Sequence, residues 1–323
     1  MLHPDPFTVR ALLGDEAAVA RRAISGEIGV ALPPLADHHV HGHLVDLAKV
    51  FLGGIAAVID LGGDPAALFR AERAVPHIDY AGAFLTAPGG YPAGRAWAPP
   101  AIVREIGRSS GEGATGSAPT AVDEQADFGA SVIKVALNAD AGPVVDAHTL
   151  AAVVARAHER GLPVVAHAQG AGMTRLAVEA GVDALAHTPF TEAVDDALLR
   201  GALDRGQVWI STLAIHDGPA LPRAVDNLRR FAAAGGRVLY GTDLGNGPQP
   251  LGVNAAEVRL LLAADLDGAA VIAALADPWP RAAVLHGVST FVPGAPPASL
   301  AEVPDWLAGA RVVPTEELVP DDQ

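Results

Sequence analysis

Eight short apolar runs recur along the chain, separated by longer stretches of helical period. They are Leu35 to His41, Ile55 to Leu61, Ile78 to Phe84, Val132 to Leu137, Val164 to His167, Ala184 to His187, Val208 to Thr212 and Val238 to Gly241. Several are too short for helices and are flanked by Gly or Pro, which favours strands. The stretches between them carry apolar residues on one helical face. Leu150, Val153, Val154 and Ala157 make one such face, which Gly161 and Pro163 terminate. Val225, Leu228, Phe231 and Ala232 make another, ended by Gly235-Gly236, and Leu198, Leu199, Ala202 and Leu203 a third, ended by Gly206. Strand–helix alternation implies parallel strands. Eight units over about 250 residues predict a (β/α)8 TIM barrel spanning residues 35–293. An open doubly wound sheet is the alternative, and the count of eight favours the barrel. Residues 1–34 form a short N-terminal segment. The Gly- and Ser-rich stretch Arg108 to Thr120 reads as a flexible loop. The Pro-rich, acidic tail 294–323 is expected to wrap the surface or fray.

The densest chemistry lies at the end of the first run, Leu35-Ala-Asp-His-His-Val-His-Gly-His43. Residues two apart on a strand face the same way, so His39 and His41 can converge on one metal ion. A lone histidine is usually a satisfied polar residue, but four within six positions are hard to explain as core. Further candidates fall at or near the ends of other runs: Lys134, His167, His187 and Asp243. In a barrel the C-terminal ends of different strands meet at one face, so these separate residues become a single cluster.

Lys134 stands out for a second reason. Of 22 basic residues only Lys49 and Lys134 are lysines. A chain that otherwise writes its cations as Arg keeps, inside an apolar run, an amine able to lose its proton. The bland alternative is a snorkelling side chain at a strand end.

Composition narrows the field. Half of the 323 residues are hydrophobic, enough for a sizeable core. The net charge of −15 argues against nucleic-acid partners, which require a basic surface. The absence of cysteine excludes disulfides and thiolate metal sites, leaving imidazole and carboxylate ligands. No run of about 18 apolar residues suggests a membrane span, and Met1 to Arg10 lacks the pattern of a secretory signal. A soluble cytoplasmic protein is expected.

The chain resembles the amidohydrolase superfamily over roughly Leu35 to Pro293, within the branch of imidazolonepropionase-like proteins and prolidase-like dipeptidases. The resemblance rests on the ligand-type residues, on Phe51-Leu-Gly-Gly-Ile-Ala-Ala-Val-Ile-Asp-Leu-Gly-Gly63, on Gly181-Val-Asp-Ala-Leu-Ala-His187 and on Gly241-Thr-Asp243. It implies two divalent ions, zinc foremost, with manganese, iron or cobalt as alternatives. His39, His41 and Asp243 would hold the more buried ion and His167 and His187 the second. Lys134, carboxylated on its amine, would bridge both. Asp37 would stand behind the ligands rather than among them. The small β-sandwich such proteins build from both chain ends is expected to be reduced or absent, with residues 1–34 its remnant and no strand-rich closing segment in the tail. Family likeness also allows a homo-oligomer.

The resemblance further implies a water-dependent hydrolase acting on a small molecule, with Asp243 as proton acceptor and donor. The leading reading is cleavage of a C–N bond in a dipeptide, N-acyl amino acid or cyclic amide. Ester, lactone or phosphotriester hydrolysis is the alternative on the same site, and a non-catalytic ligand-binding barrel is a third. Deamination fits less well, because Ala168-Gln169-Gly170 offers no Glu after His167. Substrate contacts are sought at His43, which shares the ligand face if its strand continues, at Arg95 beside Tyr91 and Trp97 in an inserted loop, and at His216. His38, flanking the ligand pair, is a candidate for support of the ligands or substrate contact.

Overall fold

The computed structural model describes residues 5–71, 75–107, 116–281 and 285–320. The eight apolar runs are the eight staves of a parallel barrel. Leu35–Val40, Ile55–Asp60 and His77–Tyr80 pair in that order. Phe84–Thr86, Ile133–Asn138, Val164–Gln169, Ala184–Leu185, Val208–Ile210 and Arg237–Leu239 continue it. Closure falls between the last stave and the first. His38 N donates to Tyr240 O at 3.0 Å, and Val40 bridges Leu244 in parallel.

The third stave departs from the run read off the sequence. It is broken into His77–Tyr80 and Phe84–Thr86. Gly82 turns the chain there at φ 73°, and Gln125 Oε1 accepts from Ala83 N at 2.8 Å. A Cβ at Gly82 would collide with that same carboxamide, so glycine is required on both grounds.

Two apolar layers result from the period-2 alternation. Ile59, Val132, Val165, Ala184, Val208, Ile210 and Leu239 point inward and plug the barrel. Outward residues such as Val58, Val135, Leu137 and Leu185 pack with helix residues Leu150, Val153, Leu228 and Phe231. The helices expected from periodicity are Ala147–Glu159, Asp196–Asp204 and Ala220–Ala233. Phe231 stacks on Trp209 with ring centroids 4.0 Å apart. Each such fully buried side chain contributes roughly 1.5–3 kcal/mol through burial.

The chain ends behave differently from expectation. Five strands form one antiparallel sheet in the order Arg311–Pro314, Val288–Pro293, Ile28–Leu32, Ala18–Arg22, Leu318–Pro320. The tail is therefore strand-bearing and paired, not a fraying wrap. Val30, Phe291, Val292 and Val313 are buried, so the tail has apolar side chains to cover once its partners are present. A sheet joining residues from both ends of the sequence is thus present, and the stretch up to Pro293 ends inside it. Of the stretch expected as a loop at Arg108 to Thr120, residues 108–115 lie outside the described residues. Gly116–Ser117 pairs with Val103–Gly107, and Ser117 caps the helix Ala118–Asp127, which has proline in its first turn.

Candidate metal centre

The site sits on the layer above the apolar plug, at the C-terminal mouth of the barrel. Alternation places Lys134 above Val132 on the fourth stave and His167 above Val165 on the fifth. His39 and His41 rise from the first stave. Asp243 follows the eighth in a left-handed conformation, φ 54°, which a short polar side chain tolerates. Barrel closure brings first and last staves together, with Leu244 N donating to His39 O and His41 N to Leu244 O. That seam delivers Asp243 to both histidines: its Oδ1 lies 3.2 Å from Nε2 of His39 and 3.2 Å from Nε2 of His41. Ligand atoms of His39, His187 and Asp243 all lie within 4.8 Å of one another. The His39–His187 and His167–His187 ring centroids are 4.8 and 4.9 Å apart. All six expected residues are buried around this point. The tightest trio crosses the expected division of ligands, since His187 groups with His39 and Asp243.

One contact carries particular weight. His39 Nδ1 is 2.8 Å from the carbonyl oxygen of Ala186, which can only accept, so Nδ1 carries the proton. Burial, together with Lys134, holds the imidazole well below its ordinary pKa, so Nε2 presents a lone pair. That lone pair faces Asp243 Oδ1, whose carboxyl lies well below its ordinary pKa although burial alone would raise it. The pair lacks hydrogen-bond geometry, and both atoms are buried with no hydrogen-bonding partner. Two buried acceptors aimed at each other repel unless a cation lies between them. The residues therefore fit a divalent ion, and the Ala186 contact is the kind of outer hydrogen bond that fixes a ligating histidine. His187 is held likewise, with Nδ1 2.9 Å from Thr212 Oγ1. Asn138 Nδ2 lies 3.2 Å from His167 Nε2 and donates to Gln169 Oε1 at 3.0 Å. Burial draws the Lys134 amine from 10.5 down to about 7, with Asp243 and Asp60 opposing. A large fraction is thus neutral at physiological pH, the form that reacts with CO2.

Supporting carboxylates sit behind the ligands. Asp37 accepts from Thr242 N at 3.0 Å, Thr242 Oγ1 at 2.5 Å and His39 N at 3.1 Å, tying the first stave to the loop bearing Asp243. Replacing Thr242 by valine leaves part of that buried carboxylate bare. The expected cost is about 1–3 kcal/mol, read as a lower urea midpoint. An unchanged midpoint would show that the tie contributes nothing. Glu257 accepts from Leu213 N and Ala214 N at 2.9 and 2.7 Å and anchors the loop of Thr212 and His216. His38 turns away from the mouth, with its ring nitrogens on the carbonyls of Tyr240 and Asp277 at 2.8 and 2.9 Å.

The candidate substrate contacts divide. The first strand ends at Val40, and His43 lies exposed on the 3-10 turn Gly42–Leu44, outside the cavity lining. Its sharing of the ligand face required a continued strand, which the turn interrupts. Arg95 is also exposed and outside the lining, with its guanidinium 5.9 Å from the Tyr91 ring centroid. His216 does line the cavity. Its ring stacks on Phe190 at 4.2 Å, and burial draws its pKa to about 4. Sequence reasoning missed Phe190, Asn138 and Asn246. Asn246 donates to Asp243 Oδ2 at 2.9 Å, and its place three residues after Asp243 in a Gly-Asn-Gly turn was the available signal. The mouth cavity has two adjoining lobes of about 220 and 320 Å3, sharing His41, Tyr91, Asp243 and Asn246. Another void of about 340 Å3, lined by Ala36, Ala57, His77 and Asp79 among others, lies at the N-terminal end of the staves, remote from this chemistry.

No protein-family model and no curated protein matches the chain. Solved structures do. A Xaa-Pro dipeptidase with bound methionine in its active site superposes with TM-score 0.68 at 19% identity, covering 90% of this chain and 87% of that one. A prolidase complexed with N-methylphosphonate-L-proline gives 0.66 at 20%, covering 90% and 86%. Molinate hydrolase gives 0.62 at 15%, covering 90% and 83%. The chain therefore has the barrel fold of these hydrolase structures.

Proposed function

We propose that this chain is a metal-dependent hydrolase of the amidohydrolase superfamily, cleaving a C–N bond of an amide, peptide or cyclic amide in a small molecule. The observation that carries the reading is the buried, partnerless approach of neutral His39 Nε2 to the Asp243 carboxylate. The neighbours' names lend support at the level of class.

His39, His41, His167, His187 and Asp243, with Lys134 as a carbamate bridge, would hold two ions, zinc foremost. Divalent ions bound there supply an acidified water and polarise the scissile carbonyl. Asp243 accepts the water's proton and later delivers it to the leaving nitrogen. Asn246 holds Oδ2 of that carboxylate, leaving Oδ1 for the reacting side. The neutral imidazoles stay fixed through Ala186 O and Thr212 Oγ1. His216 faces the cavity with an unpaired Nε2 able to orient a substrate.

The test is metal analysis with a substrate panel. About two equivalents of zinc per chain and amide turnover lost on chelation are expected. A protein that purifies without bound metal after zinc-supplemented expression, and takes none up on dialysis, would overturn the reading.

A further inference from the structure

The walls of the mouth differ in character from its floor. On one side Phe84, Tyr91 and Trp97 form an aromatic face, with Trp97 6.0 Å from each of the other two rings. Tyr91 also stacks on His167 at 5.4 Å. Phe190 lines the same lobe as Phe84 and Tyr91, its ring 6.2 Å from that of His187. Beyond the clustered ligand residues, the polar groups lining the lobes include the carboxamides Gln169 and Asn246 and the neutral imidazole of His216.

Charge is the more telling absence. Among the described residues no arginine lines either lobe, and the one lysine, Lys134, sits in the floor opposite Asp243. Among the described residues, a carboxylate carried by a substrate away from the reacting carbonyl would meet no guanidinium or ammonium in this space. Burying an unpaired carboxylate is costly. The chain's net charge of −15 adds a long-range bias against anions. Arg95 lies on the outer side of Tyr91, exposed.

We infer that the substrate is an uncharged amide bearing a flat apolar group, seated against the aromatic side chains that line the mouth, rather than a dipeptide or N-acyl amino acid with a free carboxylate. This rests on the hydrolase reading and narrows it. Aromatic side chains lining a cavity reward a planar apolar group by area and by ring geometry. The carboxamides can hydrogen-bond an amide without demanding charge.

A matched pair isolates the claim: N-acetyl-2-phenylethylamine and N-acetylphenylalanine differ only in the carboxylate. With the zinc-loaded enzyme, kcat/KM for the neutral member is expected to be at least about tenfold higher, and its calorimetric Kd at least about tenfold lower. Equal values, an inverted order in either measurement, or no binding of the neutral member overturns the inference. Ile215 lines the same lobe, and in Ile215→Arg, checked for folding by circular dichroism, the preference is expected to shrink or reverse. In Arg95→Ala the ratio is expected to hold. Collapse of N-acetylphenylalanine binding in that variant would place a carboxylate clamp at Arg95 and overturn the assignment. Hydrolysis of 4-nitrophenyl acetate that depends on Asp243 reports the hydrolase reading separately. Its absence sinks that reading, while calorimetry still ranks the two amides.

Discussion

Replacing Asp243 by asparagine is expected to lower kcat/KM by at least about 10³-fold, roughly 4 kcal/mol in the barrier, with the fold retained. Asparagine accepts the left-handed backbone at this position as readily as aspartate, so the seam that closes the barrel survives. What changes is the chemistry between the side chains. Asn246 donates to Oδ2, so the new carboxamide keeps its oxygen there and turns its NH2 toward His39 and His41. That amide donates to an imidazole lone pair and competes with the cation for it. Loss of the carboxylate also removes the proton carrier. Kinetics alongside metal analysis and a thermal melt check the expectation. A variant within tenfold of wild type would mean that another group moves the proton.

Lys134→Met is expected to act on both activity and stability, in opposite directions. It removes the bridging group, so activity and one equivalent of metal are lost. In chelated protein it is expected to stabilise the fold near neutral pH. Burial takes the amine from 10.5 to about 7, so between those values the unfolded chain binds a proton that the folded one has released. Stability of the chelated wild type therefore rises with pH through that window, and the penalty is felt in full below about pH 7. At roughly 1.4 kcal/mol per pH unit, the total is on the order of 5 kcal/mol. Urea midpoints from pH 6 to 10 measure it. The methionine variant should lack this component of the slope. An identical slope in both proteins would show that the amine is not desolvated.

Much of the barrel was legible because its staves are covered by helices outside and by one another inside. Such strands read as nearly unbroken apolar runs. The six clustered residues were legible because polar groups interrupt those runs at strand ends, as His167 does after Val164-Val-Ala and Asp243 after Leu239-Tyr-Gly-Thr. The break in the third stave was hidden, since it depends on Gln125 arriving from a helix more than forty residues later. Arg311–Pro314 is four residues long and contains a proline, so nothing local marks it as a strand; its partner, Val288–Pro293, supplies the reason. The helix at Ala118–Asp127 did have a signal, Ser117 followed by Pro119, outweighed by the glycines before it. His43 and Arg95 were placed by local pattern alone, and a 3-10 turn and an outward-facing loop position decided against the cavity.

The sheet built from both chain ends sets an order of events during synthesis. Ala18–Arg22 and Ile28–Leu32 leave the ribosome early as a bare hairpin with two unsatisfied edges. One edge waits for Val288–Pro293 and the other for Leu318–Pro320, more than 250 positions further along the sequence. Until then the hairpin offers a template to any extended segment nearby, including that of another nascent copy. Ribosomal stalling between Pro293 and Arg311 would thus leave a nearly complete barrel carrying two unpaired borders, on Val288–Pro293 and on Ala18–Arg22, a product suited to chaperone capture or entanglement between polysomal neighbours.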